Sequence, residues 1–359
     1  MSRILDFKTM KFNFFKNISL PVAALLVAVM ALSSCGKSQG KYVEIDGVML
    51  GTTLHISAKT NSQSIDIYNK AMEVDAQMKK SMSVFDENSL LSRLNANLTD
   101  SLDNHLIANL ELASKIYEIS DGVYDVTVKP LVDRYGFING VPQANFNVDS
   151  VMEFVGFDKI SFEDGKLVKS DKRVELDFNS VAKGYTVDLV AAELDGFGVK
   201  DYIVEIGGEV RCRGINPKEG AWRIGIETPY DGNNEVGSSI QQVLSLSDCA
   251  MATSGNYRRF YIDASGNKIA HIIDSRTGLS AVTDVLSATV IAPTCAESDA
   301  YATMFVALGS ERAIEIAKEL RSEDVMVYLI TAGENGEYVI YYSAELAPMM
   351  SQTEGFTAI

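Results

Sequence analysis

Residues 250–303 carry side chains that can move protons and bind anions. His271, one of three histidines in the chain, lies three residues before Asp274. Two adjacent arginines, Arg258 and Arg259, precede them. These polar groups cluster around predicted tight turns rather than on one face of a helix, which is typical of a functional site. A neutral imidazole can accept a proton near pH 7, although a single histidine is also a common structural residue.

Asp299 and Thr303 are four residues apart at the start of a predicted helix, so their side chains share one face. Carboxylate and hydroxyl oxygens are ligands that a hard cation such as Mg²⁺ accepts. Taken alone, the pair is equally compatible with an acidic residue that complements the helix dipole.

The segment 176–185 predicts a turn from a strand into a helix, with Lys183 one turn in. A helix start offers free N–H groups to a phosphate, and a lysine adds a mobile positive charge. In the alternative interpretation, Asn179 or Ser180 caps the helix and Lys183 is solvated.

These motifs, in this order, resemble those of the ApbE-type FAD:protein FMN transferases. Further matching segments are Gly51-Thr52-Thr53, Met82–Asp86, Ser92–Asn95, Gly122–Val128 and Glu205–Glu209. The chain departs from the family at Leu50, which usually is Met, at Phe85, commonly Tyr, and at Ser275, often Pro. We interpret the glycine pair within 205–209 as a bulge in a strand or a close approach of the backbone, and give that segment a structural role.

The resemblance implies a site for FAD and Mg²⁺. The implied FAD-binding residues are Leu50, Phe85, Val123, Tyr124, Asp125, Asp177, Lys183 and Ile273. Asp299, Thr303 and the backbone carbonyl of Ser180 would bind Mg²⁺. His271 would accept the proton of an attacking hydroxyl, with Asp274 as the substitute.

The activity implied is Mg²⁺-dependent transfer of FMN from FAD to a Ser or Thr hydroxyl of another protein, with release of AMP. The implied acceptors are subunits of membrane redox complexes, such as sodium-pumping or Rnf-type systems. Two alternatives remain: an FAD pyrophosphatase that yields FMN and AMP, and a non-catalytic, lipid-anchored FAD-binding protein.

The first residues predict export and lipid anchoring. A basic start is followed by an apolar run, residues 22–32, that is short for a membrane span. It ends in Leu32-Ser33-Ser34-Cys35-Gly36, the pattern that bacterial lipoproteins carry before their acylated cysteine. We predict a signal peptide over 1–34, a lipidated tether over 35–42 and a catalytic domain over 43–350. The mature protein would be a periplasm-facing lipoprotein of the cell envelope; a plain secretory signal is the alternative.

The composition limits the partners. Residues 1–34 hold four of the 32 basic and one of the 48 acidic residues, so the mature chain would carry a net charge near −19. Such a surface argues against nucleic acid as a partner, and it leaves the lipid as the expected membrane contact. Three cysteines remain beyond Cys35, and we expect them to be free, buried thiols.

The periodicity predicts an α+β fold, and the resemblance implies ApbE-like, T-fold-related mixed sheets with packed helices in a single compact catalytic unit. Helices are predicted over 65–82, 104–120, 181–194, 298–308 and 311–320. Strands are predicted over 174–178, 203–213, 222–227, 240–246 and 286–292. Residues 43–58 are predicted to form two strands joined at a bend, and 258–273 and 325–343 to form hairpins. No Gly-x-Gly-x-x-Gly follows the first strand, which argues against a Rossmann domain.

Overall fold

The computed structural model describes residues 40–143, 146–231, 233, 237 and 239–359. The predicted signal peptide and Cys35 lie outside the described residues. The compact unit runs from Lys41 to Ile359. It starts within the predicted tether, because Lys41 already pairs with Thr60 in the first strand. It extends past residue 350, because the last strand pairs with its neighbour. Within the described residues, no helix has the length and apolarity needed to cross a membrane.

The helices and strands follow the predicted order, with several short elements added. The helices are α1 Ser64–Met82, α2 Leu90–Asn95, α3 Asn104–Ile119, α4 Lys129–Arg134, α5 Val148–Met152, α6 Ala182–Gly196, α7 Cys295–Leu308 and α8 Ser310–Glu319. The strands up to the middle of the chain are β1 Lys41–Met49, β2 Thr52–Thr60, β3 Ile160–Glu163, β4 Lys166–Lys169, β5 Tyr202–Ile206, β6 Glu209–Arg213, β7 Trp222–Glu227 and β8 Ile240–Leu246. The later strands are β9 Cys249–Gly255, β10 Phe260–Ile262, β11 Lys268–Ala270, β12 Ile273–Asp274, β13 Leu279–Ser280, β14 Val285–Ala292, β15 Met326–Ala332, β16 Tyr338–Tyr342 and β17 Thr357–Ala358.

In the described part of the chain, nine strands form one sheet in the order β1-β2-β5-β6-β9-β14-β15-β16-β17. All neighbours are antiparallel except β16 and β17. Four two-stranded hairpins accompany it, β3-β4, β7-β8, β10-β11 and β12-β13. The predicted α+β class with mixed sheets and packed helices is confirmed.

Both faces of the large sheet are covered, and β15 shows how alternation achieves this. Val327 and Leu329 belong to the core shared with the helices, whereas Tyr328 and Ile330 pack in the core beneath the β7-β8 hairpin. Helix α7 lies against β9 and β14 and is buried on nearly all sides. The sheet therefore fixes α7, and α7 in turn carries two predicted site residues.

Two strand predictions are wrong. Residues 174–178 alternate as a buried strand would, yet Leu176 exchanges both of its backbone hydrogen bonds with the side chain of Asn95, at 2.8 and 2.9 Å. The glycine pair forms a hairpin turn between β5 and β6 rather than a bulge, with positive φ at Gly207 and Gly208. The alternative of a close backbone approach fits Gly207, where a Cβ would lie 2.6 Å from Cγ2 of Thr52. The thiols of Cys212, Cys249 and Cys295 are free as predicted, although Cys249 is only half-buried.

Candidate active site

A cavity of about 290 Å³ opens where the β5–β6 turn, the start of α6 and the segment after β9 converge. The predicted site residues that line it are Val123, Tyr124, Asp125, Asp177, Ser180, Lys183, His271, Ile273, Asp299 and Thr303. The volume is at the small end of the range for small-molecule sites, so a dinucleotide would extend beyond it.

The start of α6 forms one wall of the cavity. The N-cap residue, Val181, makes no side-chain cap bond, so the proposed capping by Asn179 or Ser180 is not observed. The hydroxyl of Ser180 instead lies 2.8 Å from that of Tyr124, and the backbone N–H of Asn179 donates to Asp177 at 2.7 Å. The N–H groups of Val181 and Ala182 donate to the Phe178 carbonyl, and that of Gly184 donates to Asp299. The helix start therefore offers an anionic ligand the positive end of its dipole and the Lys183 ammonium.

Lys183 lies between two acidic side chains from different elements. Its ammonium is 2.7 Å from Oε1 of Glu209 at the start of β6 and 3.6 Å from Oδ1 of Asp299 in α7. The Lys183 side chain keeps 34% of its surface exposed, whereas those of Glu209 and Asp299 are 5% and 3% exposed. The lysine therefore sits at the boundary between solvent and two buried carboxylates.

Burial and mutual charge shift the pKa of all three groups. Burial raises the pKa of Glu209 to about 7, and the Asp299 charge adds to this, while Lys183 opposes it. Burial also raises the pKa of Asp299 above its ordinary value, against the effect of Lys183. Burial acts to lower the pKa of Lys183, but the two carboxylates outweigh it and hold that pKa above its usual range.

The donors around this cluster fit a hard cation. Asp299 and Thr303 lie on one face of α7, and the Thr303 hydroxyl is 3.1 Å from that of Ser254. Oε2 of Glu209 is buried and has no hydrogen-bond partner among the described residues. Oxygen donors with one or two carboxylates match what Mg²⁺ requires. In the described ranges, no three His, Cys, Asp or Glu side chains come together as a metal-binding group.

His271 is half-buried at the cavity wall, and its imidazole is neutral near pH 7. Burial, with the nearby charge of Arg259, lowers the pKa of His271 to about 4. Its Nδ1 is buried without a hydrogen-bond partner in the part of the chain that the structure describes. The ring packs edge-on to Phe137, with ring centres 6.2 Å apart. A neutral imidazole that lines the cavity can accept a proton from a ligand.

The segment 123–125 lines the opposite wall. Both carboxylate oxygens of Asp125 accept backbone N–H bonds at 2.7 Å, from Thr127 and Phe157, and burial raises the pKa of Asp125 to about 6. Asp125 thus holds the loop in shape as well as facing the cavity.

Three predicted residues do not line the cavity. Asp274 forms an ion pair with Arg276 at 2.9 Å, which occupies the carboxylate. Leu50 lies in the β1–β2 turn, where its N–H donates to Asp75 at 2.9 Å. The Phe85 side chain is largely exposed, at 70%. Of these, Phe85 has a ring free to meet a ligand that extends beyond the cavity.

Sequence reasoning missed several lining residues. Glu209 was given only a structural role, yet it contacts Lys183. Phe137 and Asn179 also line the cavity, as does Arg259, whose guanidinium donates to the Phe137 carbonyl at 2.8 Å. The Arg258-Arg259 pair beside the histidine motif was a usable signal for Arg259, whereas nothing local marks Phe137.

Comparison with known proteins finds a matching family and similar sequences. Residues 50–329 match the model of the ApbE family. An FAD:protein FMN transferase of Haemophilus influenzae is 32% identical over 333 residues, covering 88% of this chain and 94% of the relative. One of Vibrio cholerae is 30% identical over 340 residues, covering 91% and 98%.

Solved structures show the same fold. The flavin transferase ApbE from Vibrio cholerae superposes with a TM-score of 0.76 at 27% identity, covering 86% of this chain and 99% of that one. The apo flavinyl transferase ApbE of Pseudomonas stutzeri gives 0.76 at 25% identity, covering 86% and 98%.

Proposed function

The chain belongs to the ApbE family, and from that premise we propose that it is an FAD:protein FMN transferase. The observation that carries the proposal is the meeting of three features in one cavity. These are the start of helix α6 with Lys183, the buried carboxylate of Asp299 and the neutral imidazole of His271. Flavin transfer needs a place for a pyrophosphate, oxygen donors for a cation and a proton acceptor.

In the proposed complex, the positive end of the α6 dipole and the Lys183 ammonium bind the pyrophosphate of FAD. Asp299, Thr303 and the Ser180 carbonyl would hold Mg²⁺, which supplies stabilisation of negative charge on the departing AMP. The apolar wall formed by Val123 and its neighbours contacts the flavin nucleotide.

In the proposed reaction, a Ser or Thr hydroxyl of the acceptor attacks the phosphorus of the FMN moiety. The bond between that phosphorus and the bridging oxygen breaks, and AMP leaves with the bridging oxygen. The hydroxyl proton passes to His271, which is neutral at pH 7 because its pKa is lowered to about 4. Phosphates beside the ring would raise that pKa and make the imidazole a stronger base.

FAD pyrophosphatase activity is the second candidate, because water in place of the acceptor hydroxyl gives FMN and AMP. The exposed third of the Lys183 side chain favours it, since water reaches the place assigned to the phosphates. A non-catalytic FAD carrier would account for the cavity, but it would not need two buried carboxylates around a lysine.

The proposal extends to location and partners. The basic start, apolar run and Cys35 motif support a periplasm-facing lipoprotein held at the membrane by its lipid. From there it would act on subunits of membrane redox complexes, such as sodium-pumping or Rnf-type systems.

The test incubates the unlipidated mature protein with FAD, Mg²⁺ and a candidate acceptor subunit, followed by intact-mass analysis of the acceptor. A gain of one FMN is expected, and it should vanish when the acceptor's target Ser or Thr is replaced by Ala. Free FMN and AMP with a panel of unmodified acceptors would establish the pyrophosphatase instead. Tight FAD binding without any product would support the alternative of a non-catalytic FAD-binding protein.

A further inference from the structure

Glu209 is placed in the cavity by the tight turn that precedes it. Gly207 has φ +60°, and a Cβ there would lie 2.6 Å from Cγ2 of Thr52, so the β5–β6 hairpin needs glycine at this position. The turn brings Glu209 opposite Ile206 at the first position of β6, where its side chain is buried. The backbone therefore places the Glu209 carboxylate in a buried position. Burying an ionised carboxylate costs free energy unless a cation lies beside it.

The partner is Lys183, and the two carboxylates around it are not equivalent. The ammonium is 2.7 Å from Glu209 but 3.6 Å from Asp299, so the hydrogen bond goes to Glu209. Oδ2 of Asp299 is used to accept the Gly184 N–H at 3.0 Å. Glu209 therefore draws the lysine away from the carboxylate that the proposed function assigns to the cation.

We propose that Glu209 is a positioning residue that holds Lys183 off Asp299 and so leaves Asp299 available to a divalent cation. Without the Glu209 charge, Asp299 would be the one carboxylate partner of the ammonium among the described residues. The lysine would then compete with the cation for it. This inference rests on the proposed function for the metal assignment of Asp299, but its test does not depend on flavin transfer.

The test measures Mn²⁺ binding by electron paramagnetic resonance, without FAD, in the full mature chain. Glu209→Gln should weaken Mn²⁺ binding about tenfold, the scale of one charge-assisted hydrogen bond. Glu205→Gln is the matched control, because Glu205 lies in β5 of the same hairpin and is half-buried. Its side chain accepts the Gly208 N–H at 3.0 Å. Equal Mn²⁺ affinity of Glu209→Gln and the wild type would overturn the inference, as would a wild type that binds no Mn²⁺.

A double-mutant cycle separates positioning from direct ligation. In a Lys183→Met background, Glu209→Gln should cause no further loss of Mn²⁺ affinity, because no lysine remains to compete. A full tenfold loss in that background would make Glu209 a ligand and refute the positioning role. Failure of flavin transfer with this pattern intact would refute the proposed function and not the role of Glu209.

The dependence of the flavin-transfer rate on cation concentration distinguishes a positioning role of Glu209 from a merely structural one. A higher cation concentration overcomes the competition of Lys183 for Asp299. Glu209→Gln should therefore raise the half-saturating cation concentration much more than it lowers the transfer rate at saturation. A lower saturated rate with an unchanged half-saturating concentration would contradict the inference.

Discussion

The α-carbon of Gly184 faces the carbonyl of Cys295 so closely that a methyl group there would lie 2.2 Å from that oxygen. The same methyl group would be 2.8 Å from Cβ of Asp299. Helices α6 and α7 therefore begin in contact, and this contact brings Lys183 and Asp299 together.

Gly184→Ala should destabilise the protein by about 1–3 kcal/mol, because the helix starts must separate to admit the methyl group. Flavin transfer should fall in parallel, since the two site residues move apart. Thermal or urea unfolding checks the first effect. Gly196→Ala at the end of α6 is the matched control, as its Cβ would meet no described atom within 4 Å. Equal stability of the two variants would contradict the close contact.

Asp299→Asn should abolish divalent-cation binding and with it flavin transfer. The amide can still accept the Gly184 N–H through its oxygen, so the fold should persist. Calorimetric titration with Mg²⁺ measures the loss, and circular dichroism checks the fold. Glu311→Gln on exposed α8 removes the same charge far from the cavity and should bind Mg²⁺ normally. Normal binding by Asp299→Asn would remove this residue from the metal site.

Ser180→Ala and Thr303→Val should differ in cation affinity. Ser180 is assigned as a cation ligand through its backbone carbonyl, and Thr303 through its hydroxyl. Ser180→Ala loses the 2.8 Å contact with Tyr124 but keeps its carbonyl, so cation affinity should change less than about threefold. Thr303→Val loses the assigned ligand and should weaken cation binding about tenfold or more. A larger loss in Ser180→Ala than in Thr303→Val would reverse the two assignments.

His271→Asn should change how stability depends on pH. In the folded protein the pKa of His271 is lowered to about 4 from 6.5. Between those values the unfolded chain takes up a proton that the folded protein does not, so this group costs stability as the pH falls from 6.5 towards 4. The cost reaches at most about 3 kcal/mol.

The comparison uses urea unfolding of both proteins from pH 7.5 to 4. Glu209 acts in the opposite direction, because its raised pKa of about 7 favours the folded state as the pH falls, but it titrates in both proteins. The difference between the two curves therefore reports His271. Parallel curves would mean that the histidine is not buried as a neutral ring. Flavin transfer by His271→Asn should also fall, and a full rate would exclude the histidine as the proton acceptor.

The spacing of residues predicted most of the local structure correctly. The stripe of apolar residues in α1 and the start of α3 near residue 104 follow from helical periodicity. Residues 174–178 were misread because their alternation is real, while their hydrogen-bond partner, Asn95, is distant in the chain. The alternation of apolar and polar residues indicates which side chains are buried. It does not indicate which groups hydrogen-bond to the backbone N–H and C=O.

The residue types and the order of the motifs along the sequence were sufficient to identify the family. Only the tertiary structure decided which charged groups share the cavity. It brings Glu209, which follows the β5–β6 turn, to Lys183 in α6, whereas the Asp274–Arg276 pair outside the cavity is a local contact between residues two apart. Spacing fixes the direction of a side chain within its own element. Contacts between elements depend on how α6 and α7 pack against the sheet, which no local pattern encodes.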